Sequence, residues 1–432
     1  MNDAAISTIA IGNVWTFAPL LAAVAAFFIL TWKDPKQLLW AFIVAQPLIG
    51  GFYYTNIAVF SIVFKLPIFI NNLFITAFVL FMFRKFVLEK ERIVLPGGAF
   101  LWYLLFLLAA GASVFTTEHV SLTVSSFAKL AFWFLILLVV VNLALAREEI
   151  IKAFFTMLAV SFLPLAVGLF QLTRLSRLEV PHRINSLYVH PNVFAYYLVL
   201  LIAAGWFFLP VFTGWKKRLV VSSLALSLIC LAFTFTRGAW ICLVLSFGMT
   251  FLLFGIKVSH LKKLSLGLAG ILALAVLAAP LREKIVSLIQ EPRVAGSLQW
   301  RWIHWRETAG DLISSLPNLY SGRGVGTFHF YGHFPGFAAH NDYLMIWSGA
   351  GLAAAVVLII FHLKWLLDTA NGILTAGTEQ GRAAGKVLFA AVVTAAVGLF
   401  TENLLLLPLF QTHLWLIGGL AVRNFRLERN IS

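Results

Sequence analysis

Long apolar runs separated by short polar joints recur along almost the whole chain. They fall at Val14–Trp32, Leu38–Tyr53, Val59–Phe83, Phe100–Phe115, Ser126–Leu145, Ile150–Leu172, Val193–Phe212, Leu219–Phe235, Ala239–Ile256, Leu264–Ala279, Tyr343–Leu367, Val387–Phe400 and Leu404–Val422. Most approach the roughly 20 residues an α-helix needs to cross the hydrocarbon core of a bilayer. The pattern predicts an all-α polytopic membrane protein, a bundle of about 12 transmembrane helices folded as a single integral membrane domain over residues 1–432. Around Lys65-Leu66-Pro67 and Asn71-Asn72 the pattern is irregular. A proline there would kink or break a helix, so the reading leaves roughly 12 or 13 spans open.

Composition agrees, since 61% of the 432 residues are hydrophobic and only 11% are charged, with a mean hydropathy of +0.94. No water-soluble domain of this size would carry that on its surface. The formal charge of +15 does not signal nucleic acid, because Lys and Arg sit between spans and form no contiguous solvated stripe. When spans alternate, Lys33, Lys36, Arg84, Lys85, Arg147, Lys152, Lys216, Lys217, Arg218, Arg382, Lys386, Arg423 and Arg426 fall on one side. The positive-inside rule makes that side cytoplasmic. Cys230 and Cys242 lie inside apolar runs and read as small hydrophobic fillers. The segment before Val14 lacks Lys, Arg and a small-residue cleavage pattern, so a removable signal peptide is not expected.

The opposite, periplasmic side should be poor in arginine. It nevertheless carries Arg174, Arg177 and Arg183 in one joint, Arg237 at a helix junction, and Arg282, Arg293, Arg301, Arg306 and Arg323 in another. Charge that defies the topological preference needs support from elsewhere, and an anionic ligand at the outer face is the simplest. The longest joint, 282–341, is the expected periplasmic loop. Within it Leu298, Trp302, Trp305, Ala309, Leu312, Ile313 and Leu316 recur at helical spacing, with Arg301, His304 and Asp311 on the other face. That pattern fits an interfacial helix with its tryptophans at headgroup depth, and equally an amphipathic helix packed on the bundle.

Several residues could carry chemistry. Ser321-Gly322-Arg323-Gly324-Val325-Gly326-Thr327-Phe328 alternates glycine around an arginine, and such a loop can approach a ligand closely with N–H groups free for an anion. His340-Asn341-Asp342 opens the next span, where Asn341 and Asp342 read as N-capping residues. His340 could accept a proton from a sugar hydroxyl. Arg237 interrupts two apolar helices joined almost without a loop. No acidic residue is near it in sequence, so a distant carboxylate or a ligand phosphate must compensate it. In the segment Arg183 to Ala195, His190-Pro191-Asn192 reads equally as a turn and helix start. Metal binding by His329, His333 and His340 is not expected, because their spacing is not that of a zinc helix. No convincing carboxylate pair of the glycosidase kind is present either, as Glu307 and Asp311 read as a solvated face.

Taken in order, Arg183 to Ala195, Thr236-Arg237-Gly238-Ala239-Trp240, Gly322 to Phe328 and His340-Asn341-Asp342-Tyr343-Leu344 with Gly351 beyond resemble the bacterial O-antigen ligase and O-antigen polymerase superfamily. The specific part of the resemblance spans Arg183 to Gly351. It departs from the family pattern at Gly349-Ala350, where a more polar residue is expected before the glycine, a difference that bears on acceptor preference. The resemblance implies a metal-independent, inverting glycosyltransferase of the inner membrane, without a cofactor, acting on the periplasmic side. Its donor would be a glycan on undecaprenyl diphosphate and its acceptor a sugar hydroxyl of another glycolipid, lipid A-core for a ligase or a second undecaprenyl-linked glycan for a polymerase. Carried over to this chain, Arg183, Arg237 and Arg323 would bind the diphosphate and His340 would be the catalytic base. Arg301, Arg306, Asn192, Asn341 and Asp342 rank second. The rival reading is a transporter of lipid-linked glycan. Such proteins place polar groups near the midplane and repeat their halves, whereas here the unusual groups gather at one face and no repeat is visible.

Overall fold

The computed structural model describes residues 14–52, 66–175, 183–188, 190–255, 297–314, 319–331 and 338–429. Among them there is no strand. The α-helices in chain order are α1 (Val14–Lys33), α2 (Lys36–Phe52), α3 (Leu66–Phe83), α4 (Ala99–Ala112), α5 (Val120–Asn142), α6 (Arg147–Val160), α7 (Phe162–Leu175), α8 (Pro191–Phe208), α9 (Gly214–Thr234), α10 (Arg237–Phe254), α11 (Ser297–Ile313), α12 (Phe328–Tyr331), α13 (Asp342–Thr375), α14 (Glu379–Thr401) and α15 (Pro408–Arg429). Eight helical stretches among the described residues are long and apolar enough to cross a membrane, with α6 and α7 forming one of them across Ser161. The chain is therefore a polytopic α-helical membrane protein. The apolar run Leu264–Ala279, and the part of the 282–341 joint before Ser297, lie outside the described residues.

Three helices form the centre. Nearly every residue of α8 and about two thirds of those of α14 are buried, and α15 is buried from Leu409 to Ala421 although it carries Gln411, Thr412 and His413. Gln411 and His413 have partners within the bundle. Gln411 donates to Leu404 O and accepts from Trp415 Nε1 at 2.9 Å, and the His413 Nδ1 lies 2.8 Å from Leu409 O. Lipid is as apolar as leucine, so burial alone does not drive helices together in a bilayer and close packing must do so. Tyr103, Phe361, Trp365 and Trp415 supply it as an aromatic cluster joining α4, α13 and α15, with Tyr103 and Trp415 centroids 4.5 Å apart.

Two local expectations change. Pro67 stands at the second position of α3, where a missing N–H costs nothing, so it starts that helix instead of breaking it. The run from Leu404 does not begin a helix: α15 starts at Pro408, and Glu402 to Leu407 form a turn. Pro408 has no N–H to donate to Leu404 O, so a helix running from Leu404 would lose its first intrahelical bond, and Pro408 instead opens the helix; the Leu404 and Leu405 N–H groups go to the Asp342 carboxylate, at 2.6 and 2.8 Å.

The bundle has two chemically distinct ends. At one, Lys36 pairs with Glu149 at 2.8 Å, Arg147 with Glu428 at 3.2 Å and Lys364 with Asp368 at 2.7 Å, while Arg423 donates to Leu145 O. These are the basic joints, now seen to be partly neutralised by carboxylates. The candidate site lies at the other end.

Candidate functional site

The other end is built from the N-termini of α8, α10 and α13 and the C-termini of α9 and α14. Chain direction at the α9–α10 corner reverses through Phe235, whose φ of 51° is unusual for an aromatic residue, and Thr236 then caps α10. Arg183 holds this corner. Its Nε donates to Thr234 O at 2.6 Å and its Nη2 to Thr236 Oγ1 at 2.8 Å and Asn192 Oδ1 at 2.6 Å. His190 accepts the Asn192 N–H and Pro191 opens α8, so the turn-and-helix-start reading of that segment is what forms locally. Asn192 nevertheless also points a side chain into the cluster.

The centre of the cluster is Glu402, directly after α14. Its carboxylate accepts from Asn192 Nδ2, is hydrogen-bonded to His340 Nδ1, and lies 3.7 Å from Arg301 Nη2. Its side chain is only 8% exposed, against 32% for His340 and 21% for Arg301. Arg301 also donates to Thr401 O at 2.6 Å, which fixes α11 on the end of α14. Burial works against a charged Glu402, but the His340 hydrogen bond and the charges of His340 and Arg301 outweigh it and hold the carboxyl below the usual range. Burial lowers the Arg183 guanidinium from its ordinary value. The Glu402 charge opposes that fall, while repulsion from Arg237 and Arg301 adds to it.

The compensating group for these arginines thus includes a distant carboxylate. Glu402 was not among the candidates drawn from sequence. It stands alone between two apolar runs, and a lone acid at the end of spanning helices is itself a functional signal.

His340 has φ of 50°, a left-handed value for a non-glycine residue. Asn341 next to it is the N-cap of α13, accepting the Leu344 N–H at 3.1 Å, in line with the capping reading. Asp342 is not a cap: it is buried and spends one oxygen on the Leu404 and Leu405 N–H groups, tying α13 to the turn that presents Glu402.

Helix α11 forms where its periodicity predicts, but rotated. His304 is fully buried, stacked on Trp300 with centroids 5.1 Å apart and edge-on to Phe328. Trp302 and Ile313, on the face that reads as either interfacial or packed on the bundle, are 66% and 64% exposed, so they do not pack on the bundle. Aromatic stacking and the Arg301 contacts outweigh the simple polarity of the two faces. Trp305 Nε1 donates to Ala339 O at 2.6 Å, so α11 also braces the residue before His340. Arg306 is on the exposed side of α11.

The glycine loop corrects a second expectation. Its three central N–H groups are used by the protein: Arg323 N–H donates to Ser348 O at 2.9 Å, Gly324 N–H to Gly349 O at 2.7 Å and Val325 N–H to Ser113 Oγ at 3.2 Å. The carbonyls are available because α13 breaks at Gly351, with φ of 86° and ψ of 165°. A Cβ at Gly351 would overlap Tyr320 O, and one at Gly322 would overlap the Gly349–Ala350 peptide. Gly322 permits close approach to another backbone, and Gly324 and Gly326 to the hydroxyls of Thr117, Thr123 and Ser126. Arg323 is therefore anchored at Ser348, roughly 10 Å along α13 from His340, while Arg183, Asn192, Arg237, Arg301 and His340 are brought together. No protein-family model matches the chain, and no curated protein matches it significantly in sequence.

Proposed function

We propose that the chain is an inverting, metal-independent glycosyltransferase that moves a preassembled glycan from undecaprenyl diphosphate to a sugar hydroxyl of lipid A-core. The observation that carries this reading is the gathering of Arg301 and His340 on one buried carboxylate at one end of the bundle, with Arg183 joined to it through Asn192 and Arg237 beside the Thr236 that Arg183 bonds. Guanidinium groups suit a diphosphate because they can receive it bidentately in a partly dehydrated site. In the reaction the acceptor oxygen attacks the anomeric carbon, its proton passes to His340 Nε2, and the anomeric C–O bond breaks with its electrons leaving on the diphosphate. Glu402 holds Nδ1 and offsets the imidazolium that forms. The arginines stabilise the charge that builds on the leaving group, so no general acid is needed.

In this reading the bundle has about 12 spans, the site faces the periplasm of a bacterial inner membrane, and residues 282–341 form a periplasmic loop whose helix α11 lies at the interface with Trp302 and Ile313 toward lipid. Arg323, at the α13 break, would serve the diphosphate or the glycan from the side. A polymerase would use the same donor site with a second undecaprenyl-linked glycan as acceptor.

The test is to incubate the purified protein, without metal, with undecaprenyl-diphosphate-linked oligosaccharide, adding lipid A-core or no second acceptor, beside Arg237→Ala and His340→Ala. A product formed only with lipid A-core, and lost in both variants, supports the ligase. A ladder from donor alone makes the protein a polymerase, and no sugar transfer with any acceptor overturns the enzyme reading in favour of a transporter.

A further inference from the structure

At the basic end of the bundle, far from Glu402, a groove of about 320 Å³ opens between α1, α2 and the end of α3. Its walls are largely apolar, including Phe28, Ile29, Leu38, Leu80 and Phe81. Among the described residues two ionisable side chains line it, Lys33 and Arg84, and both are cationic.

The rim is shaped by a change in helix type. The last turn of α3 widens into a π-helix over Arg84–Leu88, a form found mostly where function requires it. Arg84 donates through Nη1 to Trp32 O and through Nε to Glu89 Oε1 at 2.7 Å, and its guanidinium sits 5.2 Å from the Trp32 ring centroid. Neither bond uses Nη2. Lys33 is exposed, and Trp32 is 44% exposed beside it, the placement of an indole at headgroup depth.

An apolar slot with two cations at one rim matches one ligand chemistry, an acyl chain that ends in a phosphate. We propose that this groove binds one anionic phospholipid, its phosphate on Lys33 and Arg84 and an acyl chain against Phe28, Leu38, Leu80 and Phe81. Glu89 takes up part of the Arg84 charge, so Lys33 carries most of the headgroup selectivity. A zwitterionic phospholipid would bring its ammonium toward the same cations and is disfavoured. The site is independent of the transferase reading, because it uses none of the same residues.

The experiment is native mass spectrometry of the full chain in detergent, titrated with phosphatidylglycerol or phosphatidylethanolamine of matched acyl chains. The expected result is one tightly retained phosphatidylglycerol, bound about fivefold more tightly than phosphatidylethanolamine, the difference one cation makes near a headgroup. Lys33→Gln should remove most of that preference, and Ala77→Leu, which fills the groove, should weaken both lipids. Arg218→Gln, at the same end but outside the groove, should leave binding unchanged. Equal binding of the two lipids, an effect of Arg218→Gln as large as that of Lys33→Gln, or displacement by millimolar inorganic phosphate would each overturn the proposal. Lys33 is exposed, so Lys33→Gln keeps the test valid even if Ala77→Leu fails to fold.

Discussion

Glu402 and His340 lie 62 residues apart in the chain and are joined by a hydrogen bond through the imidazole Nδ1, with the carboxylate nearly enclosed and the ring partly open. This fixes which nitrogen is offered outward. Glu402→Gln keeps the shape of the contact and removes the charge, so the imidazolium formed in the reaction loses its counter-charge. The expected outcome is a fall of about a hundredfold in the turnover number with a smaller change in KM for acceptor, measured by glycan transfer at saturating donor.

The same carboxyl links pH to stability. Its folded-state value lies below its ordinary 4.5, because the contacts to His340 and Arg301 overcome burial. A depressed carboxylate contributes stability that is present above the unfolded value and is lost as pH falls through the folded one. The melting temperature of the wild type should therefore exceed that of Glu402→Gln at neutral pH, and the gap should close as pH is lowered below about 4.5. A gap that widens on acidification would refute this.

Arg183 serves the α9–α10 corner as well as any ligand, since its Nε and Nη2 make three separate bonds. Lysine offers a point charge where a fork is required. Arg183→Lys should lower kcat/KM for donor by more than about tenfold and also lower the melting temperature, whereas Arg306→Lys, on the exposed side of α11, should change neither.

Asp342 ties two segments through a single oxygen that accepts both the Leu404 and Leu405 N–H groups. Asparagine can present a carbonyl oxygen in the same place, while alanine leaves two buried donors unsatisfied. Asp342→Ala should cost on the order of 2–3 kcal/mol in unfolding measurements, and Asp342→Asn clearly less.

At Gly351 the backbone is left-handed and a Cβ would meet Tyr320 O. Gly351→Ala should cost on the order of 3 kcal/mol. Gly248→Ala, in the middle of α10 with open space around it, should be neutral or stabilising by no more than about 1 kcal/mol. Thermal unfolding of the two variants side by side checks the contrast.

These residues also mark what the sequence could and could not disclose. The Thr236-Arg237 junction was legible because one guanidinium interrupts an otherwise apolar stretch, and the Asn341 cap because it precedes a long apolar helix. Glu402 was not, since its partners His340 and Asn192 lie 62 and 210 residues away, and its one local mark, a lone acid between two apolar runs, names neither of them. The inward turn of His304 on α11 was not legible, because it is buried by stacking on Trp300, which a count of apolar positions does not register. The bonds of the glycine loop were hidden for a related reason: they depend on carbonyls released where a different helix breaks.

That single carboxylate also sets an order in biosynthesis. Arg183, Arg237, Arg301 and His340 all leave the ribosome before Glu402 does. Until α14 is threaded into the membrane, the arginines have the corner and one another but not the Glu402 charge. The site is therefore assembled by a late insertion event, and a nascent chain stalled before residue 402 would hold most of its spans while lacking the group that gathers their ends.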